Sequence, residues 1–168
     1  MTNLPLAYGY FNSPVGNLLV AGDGEELHLI SFPNGSGATH PKENWRKDES
    51  VFDAVFTQLA AYFAGELIQF DLPLRLKGTD FQNKVWTTLL EIPFGRTWSY
   101  GQLASCIKKP NASRAVGAAN GANPIPIIIP CHRVIGADNS LTGFGGGIET
   151  KEFLLKHEGI IETQPSLF

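Results

Sequence analysis

The residue types able to do chemistry in this chain converge on Ile125-Pro126-Ile127-Ile128-Ile129-Pro130-Cys131-His132-Arg133-Val134, where a cysteine and a histidine stand side by side after a stiff apolar run. Pro124, Pro126 and Pro130 exclude a continuous helix, and the β-branched isoleucines between them predict an extended chain packed in the core. Such a segment would hold and aim a buried thiol. A thiol is a good nucleophile at neutral pH only when a base or a positive charge favours its thiolate, and either His132 or Arg133 could supply that help. Without such neighbours, Cys131 would read as a small buried hydrophobe, the ordinary fate of a free cysteine.

Further groups lie on either side of this segment. The run from Ser113 to about Asn120, ending at Gly121, is helical in pattern, and its face of Ala112, Ala115, Gly117, Ala118, Ala119 and Gly121 is nearly uniformly small, with Arg114 as its one long basic side chain. A major-groove reader needs several Asn, Gln, Arg or Lys side chains, and this face offers few. A widened minor groove would accept it, with Arg114 entering the base stack to hold open the gap left by an extruded nucleotide. Tight helix packing is the competing account of the same residues. Gly143-Phe144-Gly145-Gly146-Gly147 exposes backbone N–H groups that suit a slot for a flat ring, although a plain loop has the same composition. Its spacing is not a phosphate-binding fingerprint. Glu158 can orient a histidine if it turns inward and is a solvated carboxylate if it does not.

The elements that must position these groups are legible as patterns. Residues 7 to 32 alternate in hydrophobicity and are broken by Ser13-Pro14-Val15-Gly16-Asn17 and Gly22-Asp23-Gly24, which predicts a hairpin or meander. Residues 33 to 49 lack apolar periodicity and read as an exposed, mobile loop, a poor place for an active site. Val51, Phe52, Val55, Phe56, Leu59, Tyr62 and Phe63 have helical period, and their aromatic stripe reads as core. Phe70 to Leu74 is expected as an edge strand, with a linker at Lys77-Gly78-Thr79 that marks a domain boundary. Beyond it, Thr79 with Gln82 and Ser99 with Gln102 form capping boxes that each open a helix. The second helix, about Tyr100 to Ile107, carries Cys106 as an expected buried structural residue. A basic turn, Lys108-Lys109-Pro110-Asn111, joins it to the small-faced helix, the layout of a helix-turn-helix. A last helix is expected from about Glu149 to Glu158.

Composition bounds the function. With 168 residues, 43% of them hydrophobic, the chain can build one ordinary domain or two small ones. Two cysteines exclude a disulfide framework and an all-cysteine zinc site, and His28, His40, His132 and His157 have no metal-ligand spacing, so no metal is expected. No signal peptide or membrane-spanning run is present, which predicts an intracellular protein without a membrane partner. The net charge of -3 argues against indiscriminate coating of nucleic acid. Locally, Lys84, Arg96, Lys108, Lys109, Arg114 and Arg133 outnumber the acids between residues 79 and 148, which fits either one basic binding face or ordinary solvated charge.

Pro130-Cys131-His132-Arg133-Val134 resembles the signature of the O6-alkylguanine-DNA alkyltransferases, the methylated-DNA–protein-cysteine methyltransferases. The resemblance extends through Tyr100-Gly101-Gln102-Leu103-Ala104, Ser113-Arg114-Ala115-Val116-Gly117, Asn123-Pro124, the glycine loop and Lys151-Glu152-Phe153-Leu154-Leu155-Lys156-His157-Glu158-Gly159, in family order. It implies an α+β fold: a small N-terminal α/β, ribonuclease-H-like domain over 1–77, then a mostly helical catalytic and DNA-binding domain with a winged helix-turn-helix over 78–168. The implied activity is single-use transfer of an alkyl group from O6-alkylguanine, and from O4-alkylthymine, to Cys131, after minor-groove binding and base flipping. No cofactor is implied. The implied partner is double-stranded DNA containing the lesion, and the implied protein is a monomer in the cytoplasm, or in the nucleus of a eukaryote.

The same resemblance assigns roles. Cys131 is the acceptor, His132 removes its proton through a water, Glu158 polarises His132, and Tyr100 donates to the departing guanine. Arg114 fills the space of the flipped base, with Ala115, Gly117, Ala118, Asn120, Arg96, Lys108 and Ser113 completing the DNA face. Asn123, Pro126, Phe144, Gly145, Gly146 and Lys151 form the substrate pocket, with Asn123 tying the helix end to the cysteine segment and Lys151 steadying the glycine loop. Relatives commonly carry a Tyr-Ser pair where this chain has Phe144-Gly145, so two hydroxyls near the base are replaced, and the smaller residue 145 predicts room for longer alkyl groups. A cysteine hydrolase built on Cys131, His132 and Glu158 would leave the helix-turn-helix unexplained, and a non-catalytic alkyltransferase-like binder would lack the cysteine.

Overall fold

The computed structural model describes residues 5–141 and 143–161; the chain ends included in the two expected domain ranges, 1–4 and 162–168, lie outside them. The N-terminal alternation folds as strands β1 (Ala7–Ser13), β2 (Gly16–Gly22) and β3 (Leu27–Ser31), antiparallel in sequence. Ser13 pairs with Gly16 across the first turn, where Gly16 takes a φ of 103° that a side chain would resist. The 33–49 segment is not wholly irregular. Arg46–Lys47 forms β4, parallel to β1, giving the order β3-β2-β1-β4.

Asp48 caps a 3-10 turn over Glu49–Phe52 that runs into helix α1 (Asp53–Phe63). Val55, Leu59 and Tyr62, spaced i, i+4, i+7, form the buried stripe of α1. The expected edge strand at 70–74 is reduced to one parallel bridge between Leu27 and Leu74. Pro73 lacks an N–H and contributes its carbonyl alone, to the Leu27 amide at 2.8 Å.

Both capping boxes are formed, each side chain contributing on the order of 1 kcal/mol to its helix. They open α2 (Asp80–Leu89) and α3 (Tyr100–Cys106). The basic turn closes α3 with Lys108 in the left-handed region (φ 62°) and the Lys109 amide bonded back to the Ala104 carbonyl at 2.9 Å, a Schellman closure. Helix α4 (Ser113–Gly121) then packs against α2 and α3, and the Trp86 indole N–H on α2 donates to the Ala119 carbonyl at 2.7 Å. Strands β5 (Trp98–Ser99) and β6 (Val134–Ile135) pair in parallel beside this helix-turn-helix, and α5 (Ile148–His157) follows the glycine loop.

Cys106 is exposed, not buried. Helix α3 turns Leu103, Ala104 and Ile107 inward, and position 106 falls on the opposite side. One apolar core runs through both halves, joining Leu18, Leu59 and Tyr62 to Val85, Ile129 and Leu154. Among the described residues no helix is long and apolar enough to cross a membrane.

Candidate active site

The isoleucine segment is a compact turn instead of an extended strand. The Ile129 amide bonds the Ile125 carbonyl at 3.0 Å, and Ile127 holds a φ of 75°, a backbone conformation that β-branched residues rarely adopt. The physical reason is twofold. The prolines remove the donors a strand ladder would use, and turning back lets Ile125, Ile127, Ile128 and Ile129 all be buried. Cys131, His132 and Arg133 follow as a single 3-10 turn, buried throughout. The side chains of α4 and its end hold this turn from behind: Asn123 Nδ2 donates to the Ile129 carbonyl at 2.8 Å, and Asn120 Nδ2 to the Cys131 carbonyl at 3.3 Å.

Glu158 does turn inward. Its Oε2 lies 2.5 Å from His132 Nε2, and its Oε1 accepts from Arg133 Nε at 2.7 Å. Arg133 Nη2 reaches Oε2 at 3.2 Å and Nη1 donates to the Ile92 carbonyl at 2.7 Å, so this arginine belongs to the core and not to a basic face. Tyr62, from α1, adds a hydroxyl that donates to Oε2 at 2.6 Å. Burial alone would raise the Glu158 carboxyl, but the bonds and charge of His132 and Arg133 outweigh it and hold the group down at about 2. Glu158 is therefore an ionised acceptor at neutral pH. His132 Nε2 must carry the proton of their shared bond, which leaves Nδ1 of a neutral ring with its lone pair available. Burial favours that neutral ring, against the pull of Glu158. Nδ1 is one of two buried polar side-chain atoms without a protein partner among the described residues; the other is Asn120 Oδ1.

Burial pushes the Cys131 thiol up to about 11, against bonding from Asn123 and the charge of Lys151. Burial thus disfavours the thiolate at rest, and a nearby base is needed to take the proton from the thiol. The positive charge acting on it is that of Lys151, while Arg133 is directed to Glu158. Lys151 is fully buried on α5, donates to the Val134 carbonyl at 2.6 Å, and is pulled down to about 8 by burial.

Cys131 faces a cleft of about 250 Å³ lined also by Asn120, Asn123, Pro126, Phe144, Gly145 and Gly146. Its opposite wall comes from the N-terminal half, through Leu29 to Phe32, Gly37 and Thr39. The 33–49 segment thus reaches the site, contrary to expectation. The Gly37 amide donates to the Gly145 carbonyl at 3.0 Å, and the Thr39 amide to Ser31 Oγ at 2.7 Å. Phe144 rests on Phe32 with ring centroids 5.5 Å apart, and Gly146 lies so close to Phe32 that an added Cβ would stand 2.5 Å from the ring. Tyr100 is half-buried just outside the cleft, between α4 and the loop: an added Cβ on Gly117 would lie 3.7 Å from its ring, and one on Gly143 would lie 3.6 Å from its hydroxyl.

Arg114, Ala115 and Ala118 are exposed on α4, and Arg96 and Lys108 are exposed in flanking turns, with Ser113 and Gly117 half-buried. Asn120 departs from its expected place on the DNA face, since it is buried beneath Cys131 and lines the cleft. Tyr62 and the N-terminal wall were missed from sequence. A tyrosine among core aromatics was the available signal, because a buried phenol needs a partner.

Fold and site together define a thiol-centred group-transfer protein on a winged helix-turn-helix scaffold. Family models described as 6-O-methylguanine DNA methyltransferase, ribonuclease-like domain, and 6-O-methylguanine DNA methyltransferase, DNA binding domain, match residues 6–76 and 80–160. The methylated-DNA–protein-cysteine methyltransferase of Methanosarcina acetivorans is 51% identical over 152 residues, covering 90% of this chain and 97% of that one. A crystal structure of Mycobacterium tuberculosis OGT in complex with DNA superposes with a TM-score of 0.84 at 51% identity, over 90% of this chain and 92% of that one. The O6-methylguanine-DNA methyltransferase of Pyrococcus kodakaraensis superposes at 0.63 with 25% identity, over 92% of this chain and 99% of that one. The chain belongs to the 6-O-methylguanine DNA methyltransferase family.

Proposed function

We propose that this protein repairs O6-alkylguanine in double-stranded DNA by moving the alkyl group onto its own Cys131. The observation that carries this reading is a buried thiol at the floor of the cleft, in the same turn as a histidine whose Nδ1 is left basic by Glu158. In the reaction the Cys131 proton passes through a water to His132 Nδ1, and Sγ bonds the alkyl carbon. The carbon–O6 bond breaks with its electron pair going to the base, and the Tyr100 phenol donates as that charge develops. A thioether remains, which offers no good leaving group, and the protein acts once.

The small outer face of α4 enters the minor groove, Arg114 takes the flipped base's place in the stack, and Arg96, Lys108 and Ser113 hold phosphates. Asn120 meets the extruded base inside the cleft, where its Oδ1 is an acceptor in search of a donor. Gly145 leaves space for alkyl groups longer than methyl, and O4-alkylthymine is a second substrate. The protein acts as a monomer in the cytoplasm, with its domains divided between residues 77 and 78.

Mass measurement after mixing with a duplex containing O6-methylguanine tests the reading. One methyl per chain on the Cys131 peptide is expected, with none after Cys131→Ser. Because Cys106 is exposed, it serves as the internal comparison, and methyl found there instead would overturn the assignment. Continued turnover in excess substrate would instead indicate a hydrolase.

A further inference from the structure

We infer that Tyr62, on α1 of the N-terminal half, is a positioning residue for alkyl transfer: its buried hydroxyl orients the Glu158 carboxylate that in turn holds His132. The inference rests on the proposed relay. Tyr62 is fully buried, and its hydroxyl donates at 2.6 Å to Glu158 Oε2, the oxygen that also faces His132 Nε2. Arg133 secures the carboxylate from the cysteine turn, so the two donors grip it from different halves of the molecule.

Tyr62 is itself tightly placed. Its ring lies 5.4 Å from Phe70, 6.4 Å from Phe94 and 4.9 Å from His157, and its carbonyl faces His157 Nε2 at 2.7 Å. Helix α1 therefore holds the end of α5 through two consecutive residues, His157 by backbone and Glu158 by side chain. Phenylalanine would fill the same apolar space without the cost of burying a hydroxyl. What the hydroxyl adds is a charge-assisted bond to a carboxylate.

The effect on the relay has a definite sign. The charged or titratable groups around the pair are Arg133, Lys151, Cys131 and His157, together with Glu158 and His132 themselves. The Tyr62 donor draws negative charge from Oε2 and so moderates the pull of Glu158 on the His132 proton. Without it the carboxylate binds that proton more strongly, and neutral His132 is reached only at higher pH.

Single-turnover alkyl transfer by full-length Tyr62→Phe, measured across pH, tests this. The rate at saturating DNA should fall about tenfold at neutral pH, the equivalent of losing one hydrogen bond to a charged group. The acidic limb should move to higher pH, while the half-saturating DNA concentration stays unchanged. Leu59→Val, a core change one turn earlier on α1, should leave the limb in place. A wild-type rate and limb in Tyr62→Phe, or the same limb shift in Leu59→Val, overturns the role of Tyr62. Glu158→Gln separates the two layers: a wild-type rate there overturns the relay, whereas slow Glu158→Gln with unaffected Tyr62→Phe overturns Tyr62 alone. If Tyr62→Phe does not fold, fluorotyrosine at position 62 supplies a stronger donor and should move the limb to lower pH; an unmoved limb overturns the inference.

Discussion

The two sides of Cys131 are built on opposite principles. On one side lies the cleft, lined by uncharged residues that include Gly37, Gly145 and Gly146 and the rings of Phe32 and Phe144. On the other lies a sealed polar cluster of His132, Arg133, Glu158, Tyr62 and Lys151, in which the charged groups are buried and hydrogen-bonded. A cleft lined by uncharged residues can change shape with a modest penalty, because no ion pair is broken when one of them is replaced. A buried ion network has no such tolerance, since removing one partner leaves another desolvated. Substrate range should therefore be adjustable on the first side, while activation of the thiol depends on keeping the second intact.

The contrast is broken most severely by Glu158→Ala, which deprives His132, Arg133 and Tyr62 together. A loss of about 100-fold or more in the transfer rate is expected, with about 3–5 kcal/mol of stability lost in urea unfolding. A rate and stability near wild type would show that the cluster tolerates change as the cleft does. Acid probes the same carboxylate. Its folded value of about 2 lies below the unfolded one, so its stabilisation is present above about pH 4.5 and is lost as pH falls towards 2. The loss should be roughly 3 kcal/mol, and Glu158→Gln should flatten this part of the stability profile.

On the cleft side, Gly146→Ala forces a methyl against Phe32 and should cost about 1–3 kcal/mol by overpacking. Adding Phe32→Leu should recover much of that loss in thermal unfolding, and failure of the rescue would place the strain elsewhere. Gly145→Ser is the mildest change, since an added Cβ there meets only ordinary contacts at 3.6 to 3.8 Å. Stability should stay within about 0.5 kcal/mol of wild type. Transfer of a bulky O6-alkyl group should slow by about tenfold relative to methyl. An unchanged ratio of the two rates would remove residue 145 from control of substrate size.

Local signals recovered what local physics controls. Two Ser/Thr-x-x-Gln boxes, the spacing of Val55, Leu59 and Tyr62, and the turns at Ser13-Pro14 and Lys108-Lys109 each act within a few residues, and each formed as expected. Cys106 was misplaced because a short helix carries little information about which face is buried. The isoleucine segment was expected to extend because β-branched residues favour strands, but that propensity yielded to burial of every isoleucine and the missing proline donors. The 33–49 segment lacked apolar periodicity because its amides attach it to the site through Ser31 and Gly145, and such bonds leave no trace in hydrophobic pattern.

By itself the sequence determined the pairing of a cysteine with a histidine, the helix-turn-helix layout, the single arginine on a smooth helix and the family to which they belong. Tertiary structure alone decided that Arg133 neutralises Glu158 instead of activating the thiol, that Lys151 supplies the nearby charge, and that Tyr62 and the 33–49 segment reach the site from the other half. The reason is physical. Motifs record residues whose roles are set by neighbours in the chain, whereas a buried charge takes its role from whichever partners folding brings within hydrogen-bond distance.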